Sequence, residues 1–234
     1  MPNNLPTILL AAMALDLGGA ETHVISLARE LHRRGHRVVV ASAGGRMVPM
    51  LTERGIPHEV VPMASRNPLV MARAFFGLRR VIARYNVGLV HAHARIPAWL
   101  CSLVVRGRGI PLVTTYHGTY AAGFPWKYLT TFGQRAIAVS EDVRRHLEGP
   151  LGAPPEIIRV IPNGFETGEF RPGVDIGPLL AELGPDLGGP HVVHASRLTD
   201  EFDDTAVALL RALPSLNAQF PTIRLWILGD GNRY

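Results

Sequence analysis

Apolar residues run along this chain in two textures. Short, nearly continuous β-branched runs at Thr7–Ala14, His36–Ala41, His58–Pro62, Val87–Ala92, Leu112–Tyr116, Ala136–Val139 and Ile157–Ile161 predict strands. Between them the spacing widens to that of helices. Val24, Leu27, Ala28 and Leu31 line one face of Glu21–Arg34, and Gly35 follows as a C-terminal cap. Met47–Arg54, Lys127–Phe132 and Glu141–Leu147 read as shorter helices, the last opened by Ser140 as N-cap. A long helix from Pro68 to Tyr85 places Met71, Phe75, Leu78 and Ile82 on one face, to pack on a sheet. Strands that are apolar on both faces, interleaved with helices, dictate a parallel sheet covered on both sides, a doubly wound α/β domain.

The texture changes after residue 170. Arg171–Pro190 is rich in glycine and proline, with one helical piece around Leu179–Leu183, and reads as a connection between domains. Residues 191–234 then restart the pattern with strand His191–Ala195, helix Asp204–Phe220 and strand Ile223–Leu228. One βαβ unit cannot bury both faces of its strands, so this piece is expected to be the opening of a truncated second Rossmann-like domain. The expected division is 1–170, 171–190 and 191–234.

Composition narrows the class. With 47% hydrophobic and 18% charged residues the chain can bury a core, which excludes disorder. One cysteine, Cys101, excludes an internal disulfide and a cysteine-based zinc site. The amino-terminal apolar run lacks a preceding basic region, and no stretch is long and apolar enough to span a bilayer, so the expected location is cytoplasmic. The net charge of +5 conceals an asymmetry: between Glu59 and Glu141 there are ten basic residues and no acidic one. Such a block favours an anionic partner, whether phosphorylated substrate, acidic lipid or nucleic acid. It equally fits a compositional preference for arginine, which supplies 23 of the 24 basic residues.

In open α/β sheets, ligands sit beyond the carboxyl ends of the strands, and the candidate chemistry lies there. The first strand runs into Gly18 and Gly19 before a helix, where backbone N–H groups can approach an anion or a sugar hydroxyl. The Gly-x-Gly-x-x-Gly nicotinamide pattern is absent at this turn. The fourth strand ends in His91-Ala92-His93, two imidazoles on one face. A zinc site needs a third ligand and a carboxylate base, which the acid-free block does not supply, so no metal is expected. One histidine of the pair is expected to donate into a cleft and the other to pack in the strand. His117 closes the fifth strand in the same manner, and Ile161-Pro162-Asn163-Gly164 reads as a turn.

Taken in order, Gly18-Gly19-Ala20-Glu21, His91-Ala92-His93, His117-Gly118, Ala138-Val139-Ser140-Glu141, Ile161-Pro162-Asn163-Gly164 and Phe170-Arg171-Pro172 resemble the amino-terminal domain of family 4 glycosyltransferases. These are retaining enzymes of the GT-B fold. Ala195-Ser196-Arg197-Leu198 and Leu225-Trp226-Ile227-Leu228-Gly229-Asp230-Gly231 are similar to the start of that family's nucleotide-sugar-binding domain. The resemblance implies sugar transfer from a nucleotide-diphosphate sugar to a glycan or lipid-linked acceptor, with no metal or other cofactor. It implies that Gly18, Gly19, His93 and Asn163 line the substrate site, that His117 is catalytic and contacts the transferred sugar, and that Arg197 pairs with the donor diphosphate. An arginine fork matches phosphate oxygens in pairs. A lysine that the family places a few residues later is here Phe202. The family's paired glutamates would follow Tyr234, so the chain alone is expected to be inactive.

Two other readings stand beside the enzyme. One is a non-catalytic module that keeps the fold and binds a glycan or a membrane. The other is a nucleotide-sugar epimerase, which needs an acid/base pair where strand-end carboxylates are scarce. The Pro68–Tyr85 helix bears on the membrane: Arg73, Arg80 and Arg84 cluster opposite its apolar face with Leu69 and Phe76 alongside, a pattern suited to anionic lipid headgroups or, equally, to water. A nucleic-acid partner is not expected.

Overall fold

The computed structural model of the chain describes residues 5–165, 167–168, 171–183, 188–196, 198, 204–229 and 231. It divides into two compact units that part between Thr167 and Gly168.

The first unit carries strands β1 (Thr7–Ala11), β2 (Val38–Ser42), β3 (His58–Val60), β4 (Val87–Ala92), β5 (Leu112–Tyr116), β6 (Arg135–Ala138) and β7 (Ile158–Val160). Helices α1 (Gly19–Arg33), α2 (Pro49–Thr52), α3 (Pro68–Arg84), α4 (Arg95–Val105) and α5 (Glu141–Glu148) alternate with them. The seven strands form one sheet in the order β3-β2-β1-β4-β5-β6-β7, every pair parallel. The order reverses between β1 and β4, the switch point at which such sheets open a crevice. This is the doubly wound architecture that the apolar runs predict.

Side chains alternate across β1 and β2 and feed two cores. Leu9, Ala11, Val39 and Ala41 pack with Ala74, Leu78, Val81 and Ile82 of α3 and with α4, while Met71 and Phe75 cover the margin. Leu10, Val38 and Val40 pack on the opposite face with Val24, Ile25 and Ala28 of α1 and Leu51 of α2. A third cluster joins Tyr116, Ala136 and Ala138 to Val143 and Leu147 of α5.

Helix ends follow local chemistry. Asn67 caps α3, its side-chain oxygen accepting from the N–H groups of Leu69 (2.9 Å) and Val70 (3.4 Å), with Pro68 at the first helical position. Ser140 caps α5 by accepting from the Val143 N–H at 3.2 Å. Gly35 takes φ of 84° just beyond α1, the left-handed geometry that a glycine cap supplies.

Two expectations are corrected. Arg95–Val105, where the apolar pattern marks no element, is the helix α4, and Lys127–Phe132 forms turns instead of a helix. In the latter, side chains from β5 claim the carbonyls: Tyr116 Oη donates to Thr131 O (2.6 Å) and Thr114 Oγ1 to Phe132 O (2.9 Å). These contacts instead fasten the whole β5–β6 loop onto the sheet.

The β1–α1 loop is held just as firmly. Leu15 N–H donates to Gly44 O (2.7 Å), Met47 N–H to Leu15 O (2.8 Å) and Arg46 N–H to Asp16 Oδ1 (3.1 Å). Gly45, at φ of 140°, lies so close that a Cβ there would sit 2.3 Å from the Leu15 carbonyl carbon. Only glycine fits that crossing, which fixes the course of the loop that ends in Gly18.

The second unit holds helix α6 (Gly177–Leu183), strand β8 (His191–Ala195), helix α7 (Asp204–Gln219) and strand β9 (Arg224–Leu228), with β8 and β9 paired in parallel from His191↔Arg224 to Ala195↔Leu228. Among the described residues no helix is long and apolar enough to cross a membrane.

Candidate functional site

The sheet brings chain segments far apart in sequence to one rim. Gly18 and Gly19 start α1 beyond β1, His93 follows β4, and His117 follows β5. The His93 N–H donates to Ala11 O at 2.9 Å, which pins the end of β4 beside that of β1 across the switch point. A Cβ on Gly19 or on Gly118 would meet no atom within 4 Å, so both face open space and leave their backbone approachable.

A histidine cluster forms the wall of this crevice. His93 Nδ1 and His117 Nε2 are 3.4 Å apart, with their rings stacked at an interplanar angle of 24°. His23 on α1 completes the group, its ring centroid 5.6 Å from that of His93 and 5.0 Å from that of His117. A helical side chain points back toward the amino end, so His23 reaches the rim from one turn inside α1. His91 packs on His93, their ring centroids 4.1 Å apart, and its Nε2 shares a hydrogen bond of 2.7 Å with Thr115 Oγ1 in the sheet interior. Both imidazoles of the pair are buried, His91 at 8% and His93 at 3% exposure.

Burial keeps these imidazoles neutral. His117 is pushed down to about 4, by desolvation first and by His23 second. His91 falls to about 3 and His93 lies well below the ordinary range, desolvation leading in both, with neighbouring histidines adding to it. His23 is lowered by burial as well. His93 Nε2 and His117 Nδ1 are buried without a hydrogen-bond partner. Such atoms cost about 1–3 kcal/mol each unless a ligand or water meets them.

The same three residues, His23, His93 and His117, could also hold a metal ion, their ring nitrogens lying within 4.8 Å of one another. His23 is the third nitrogen that the strand-end histidines lack on their own. The group contains no carboxylate, so a base for a metal-bound water would have to come from elsewhere.

The other expected site residues are placed differently. Asn163 is exposed in the coil after β7, two strands beyond β5 in the sheet. Arg197 and Phe202 lie outside the described residues, as do Phe170 and Asp230. Residues of the site that sequence reasoning passed over are His23, Arg66, Arg95 and Trp126. Arg95 opens α4 two residues after His93, and its guanidinium carbon stands 5.2 Å from the ring centroid of Tyr120 and 5.7 Å from that of Trp126. Arg66 covers Trp126 at 4.8 Å.

Residues 17–169 match the family model described as Glycosyltransferase Family 4, a span that contains the whole crevice. The chain belongs to glycosyltransferase family 4. Among relatives of this family-4 chain, a phosphatidyl-myo-inositol mannosyltransferase of Mycolicibacterium smegmatis is 28% identical over 92% of this chain and 56% of its own length. A phosphatidylinositol N-acetylglucosaminyltransferase subunit of Arabidopsis thaliana is 25% identical over 94% of this chain and 50% of its own. The family-4 chain therefore spans about half the length of the curated relatives it matches. Its fold recurs in a glycosyltransferase from Rickettsia africae (TM-score 0.77, 22% identity, 96% of this chain and 69% of that one). It recurs also in Anabaena HepE solved with UDP-glucose (TM-score 0.76, 23% identity, 96% and 61%). With these neighbours the first unit is the amino-terminal Rossmann-like domain of the GT-B architecture.

Proposed function

We propose that this chain supplies the acceptor-side domain, and the opening of the donor-side domain, of a glycosyltransferase. It would move a sugar, with retention of configuration, from a nucleotide-diphosphate sugar to a glycan or lipid-linked acceptor. The observation that carries the reading is the rim at the switch point, where Gly19 and Gly118 border open space and the neutral imidazoles of His93 and His117 gather with that of His23. A neutral imidazole donates one hydrogen bond and accepts another, which suits the hydroxyls of a sugar. Charge that builds on the leaving diphosphate needs cationic or backbone N–H partners, for which Arg197 and the α1 amino terminus are the candidates on this chain. No metal enters the proposed reaction.

The test is transfer by the full protein from a panel of labelled nucleotide-diphosphate sugars, in the presence of EDTA, with the anomeric configuration of the product read by NMR. Expected is a product that keeps the donor's configuration and a rate indifferent to EDTA. Interconversion of the donor sugar without any acceptor would support an epimerase instead.

Two relatives are named for phosphatidylinositol acceptors, and this supports a lipid-linked acceptor and a peripheral position on an anionic membrane. On α3 Leu69 is 76% and Phe76 61% exposed, in the company of exposed Arg73 and Arg80. Arg84 belongs to this stripe less than its position predicts, because it pairs with Glu59 at 3.0 Å. Arginines near an anionic surface contribute about 1 kcal/mol each. Arg73→Glu/Arg80→Glu should therefore lower sedimentation with anionic liposomes by about tenfold or more, and equal binding to neutral vesicles would count against docking.

A further inference from the structure

A cavity of about 220 Å³ opens between α3, α4 and the β5–β6 loop. Met71, Ile96, Trp99, Trp126 and Leu129 form its walls, and Arg66 and Arg95 its polar margin. The two arginines are held in place by unusual means. Both stack on Trp126, Arg95 also on Tyr120, and Arg95 Nη2 donates to Ala121 O at 2.8 Å. Among the described residues neither forms an ion pair, and the stretch from residue 60 to residue 140 contains no carboxylate to offer one. Arg95 Nε is buried with no hydrogen-bond partner. Two guanidiniums held on one indole, with an unmet donor and no counter-charge, make a site for an anion that the chain itself does not supply.

The chemistry of the occupant follows from the rest of the lining. A carboxylate has two oxygens and satisfies one guanidinium fork, whereas a phosphate has enough oxygens for both. The walls are hydrocarbon and indole, so the group bonded to that phosphate is apolar where it enters. The cavity lies below the roughly 300–1,000 Å³ of sites that enclose a whole small ligand, so it holds the first carbons of a chain and lets the remainder leave. We infer that this groove is the acceptor subsite for a lipid phosphate, the phosphate lying between Arg66 and Arg95 and the start of its hydrocarbon chain between Met71, Ile96, Trp99 and Leu129. The inference rests on the glycosyltransferase reading and deepens it.

The tryptophans provide the readout. The chain has three, of which Trp99 and Trp126 line the groove, so a Trp226→Phe chain reports from the groove alone. The probe is decyl phosphate below its micellar concentration, compared with decyl maltoside (same tail, neutral head) and inorganic phosphate (no tail). Expected is a saturable change in indole emission with decyl phosphate, at least tenfold weaker binding of decyl maltoside, and no emission shift with phosphate. Arg66→Gln/Arg95→Gln should weaken decyl phosphate tenfold or more; if that pair melts early, Arg66→Gln alone, on the exposed side, carries the comparison. Equal affinity for the two decyl probes, or unchanged affinity in the arginine variants, overturns the assignment. A separate transfer assay with the full protein keeps the two readings apart. Transfer to acceptors without decyl phosphate binding removes the groove and leaves the enzyme, whereas decyl phosphate binding without transfer from any donor supports the groove and removes the enzyme.

Discussion

His117→Ala should lower sugar transfer by about 100-fold or more at saturating donor and acceptor, the loss expected when one preorganised donor of about 3–4 kcal/mol is removed. The side chain is neutral at physiological pH because burial holds it down to about 4. Its Nε2 is engaged with His93, and its Nδ1 is buried without a partner. In the tautomer where His93 donates to Nε2, His117 Nδ1 carries the proton, and removing the ring takes that donor away from a sugar hydroxyl as charge develops. The loss should fall on kcat, with the donor KM changed only a few-fold. A rise confined to KM, with kcat intact, would show that His117 only helps to bind the donor.

Acid should unfold the first unit early. In the unfolded chain His91 and His117 titrate near 6.5; in the folded protein they are held at about 3 and about 4. The unfolded state therefore binds more protons than the folded one below pH 6.5, and stability falls as pH drops from there toward pH 4. At pH 5 each contributes about 2 kcal/mol of destabilisation relative to pH 7.5, about 4 together. Urea titrations at the two pH values measure it. His91→Gln/His117→Gln should remove about 4 kcal/mol of the difference and leave the share of His93, which burial lowers as well, whatever it does to stability at neutral pH. A double variant with the full wild-type pH dependence would falsify the assignment of acid sensitivity to these imidazoles.

The strands were legible because a parallel sheet buried on both faces leaves runs such as Leu112–Tyr116 with no polar alternation to confuse them, and β4 and β5 have the predicted bounds. Helix α4 was illegible for a related reason. Pro97, Ala98, Leu100, Cys101, Val104 and Val105 are all buried, and no charged residue lies between Arg95 and Arg106 to mark an outer face. Ala94 provides no side-chain cap either. The side left outside carries Ile96, Trp99 and Leu103, the last 39% exposed, so apolar residues mark both faces and the 3.6-residue signature is lost. Lys127–Phe132 failed in the opposite direction: its backbone closes turns on Pro125, and its end is drawn to the sheet by the hydroxyls of Thr114 and Tyr116. Gly18, Gly19, His93 and His117 were readable as candidates because they lie in the segments that leave the carboxyl ends of β1, β4 and β5, where ligands of such sheets gather. His23 escapes that rule because it stands within a helix, and Arg66 and Arg95 because a cation gains its meaning from Trp126, which only tertiary structure brings near.

The borders of the large sheet have a consequence for how copies of this protein behave in a crowd. β3 and β7, the outermost strands, are three residues each, and each includes a charged side chain, Glu59 in one and Arg159 in the other. A foreign strand arriving at either margin finds few free backbone groups and an ion to strip of water. The sheet does not template its own extension, and growth of this scaffold by insertion falls to its connecting segments, where new sequence changes what is recognised without adding a strand.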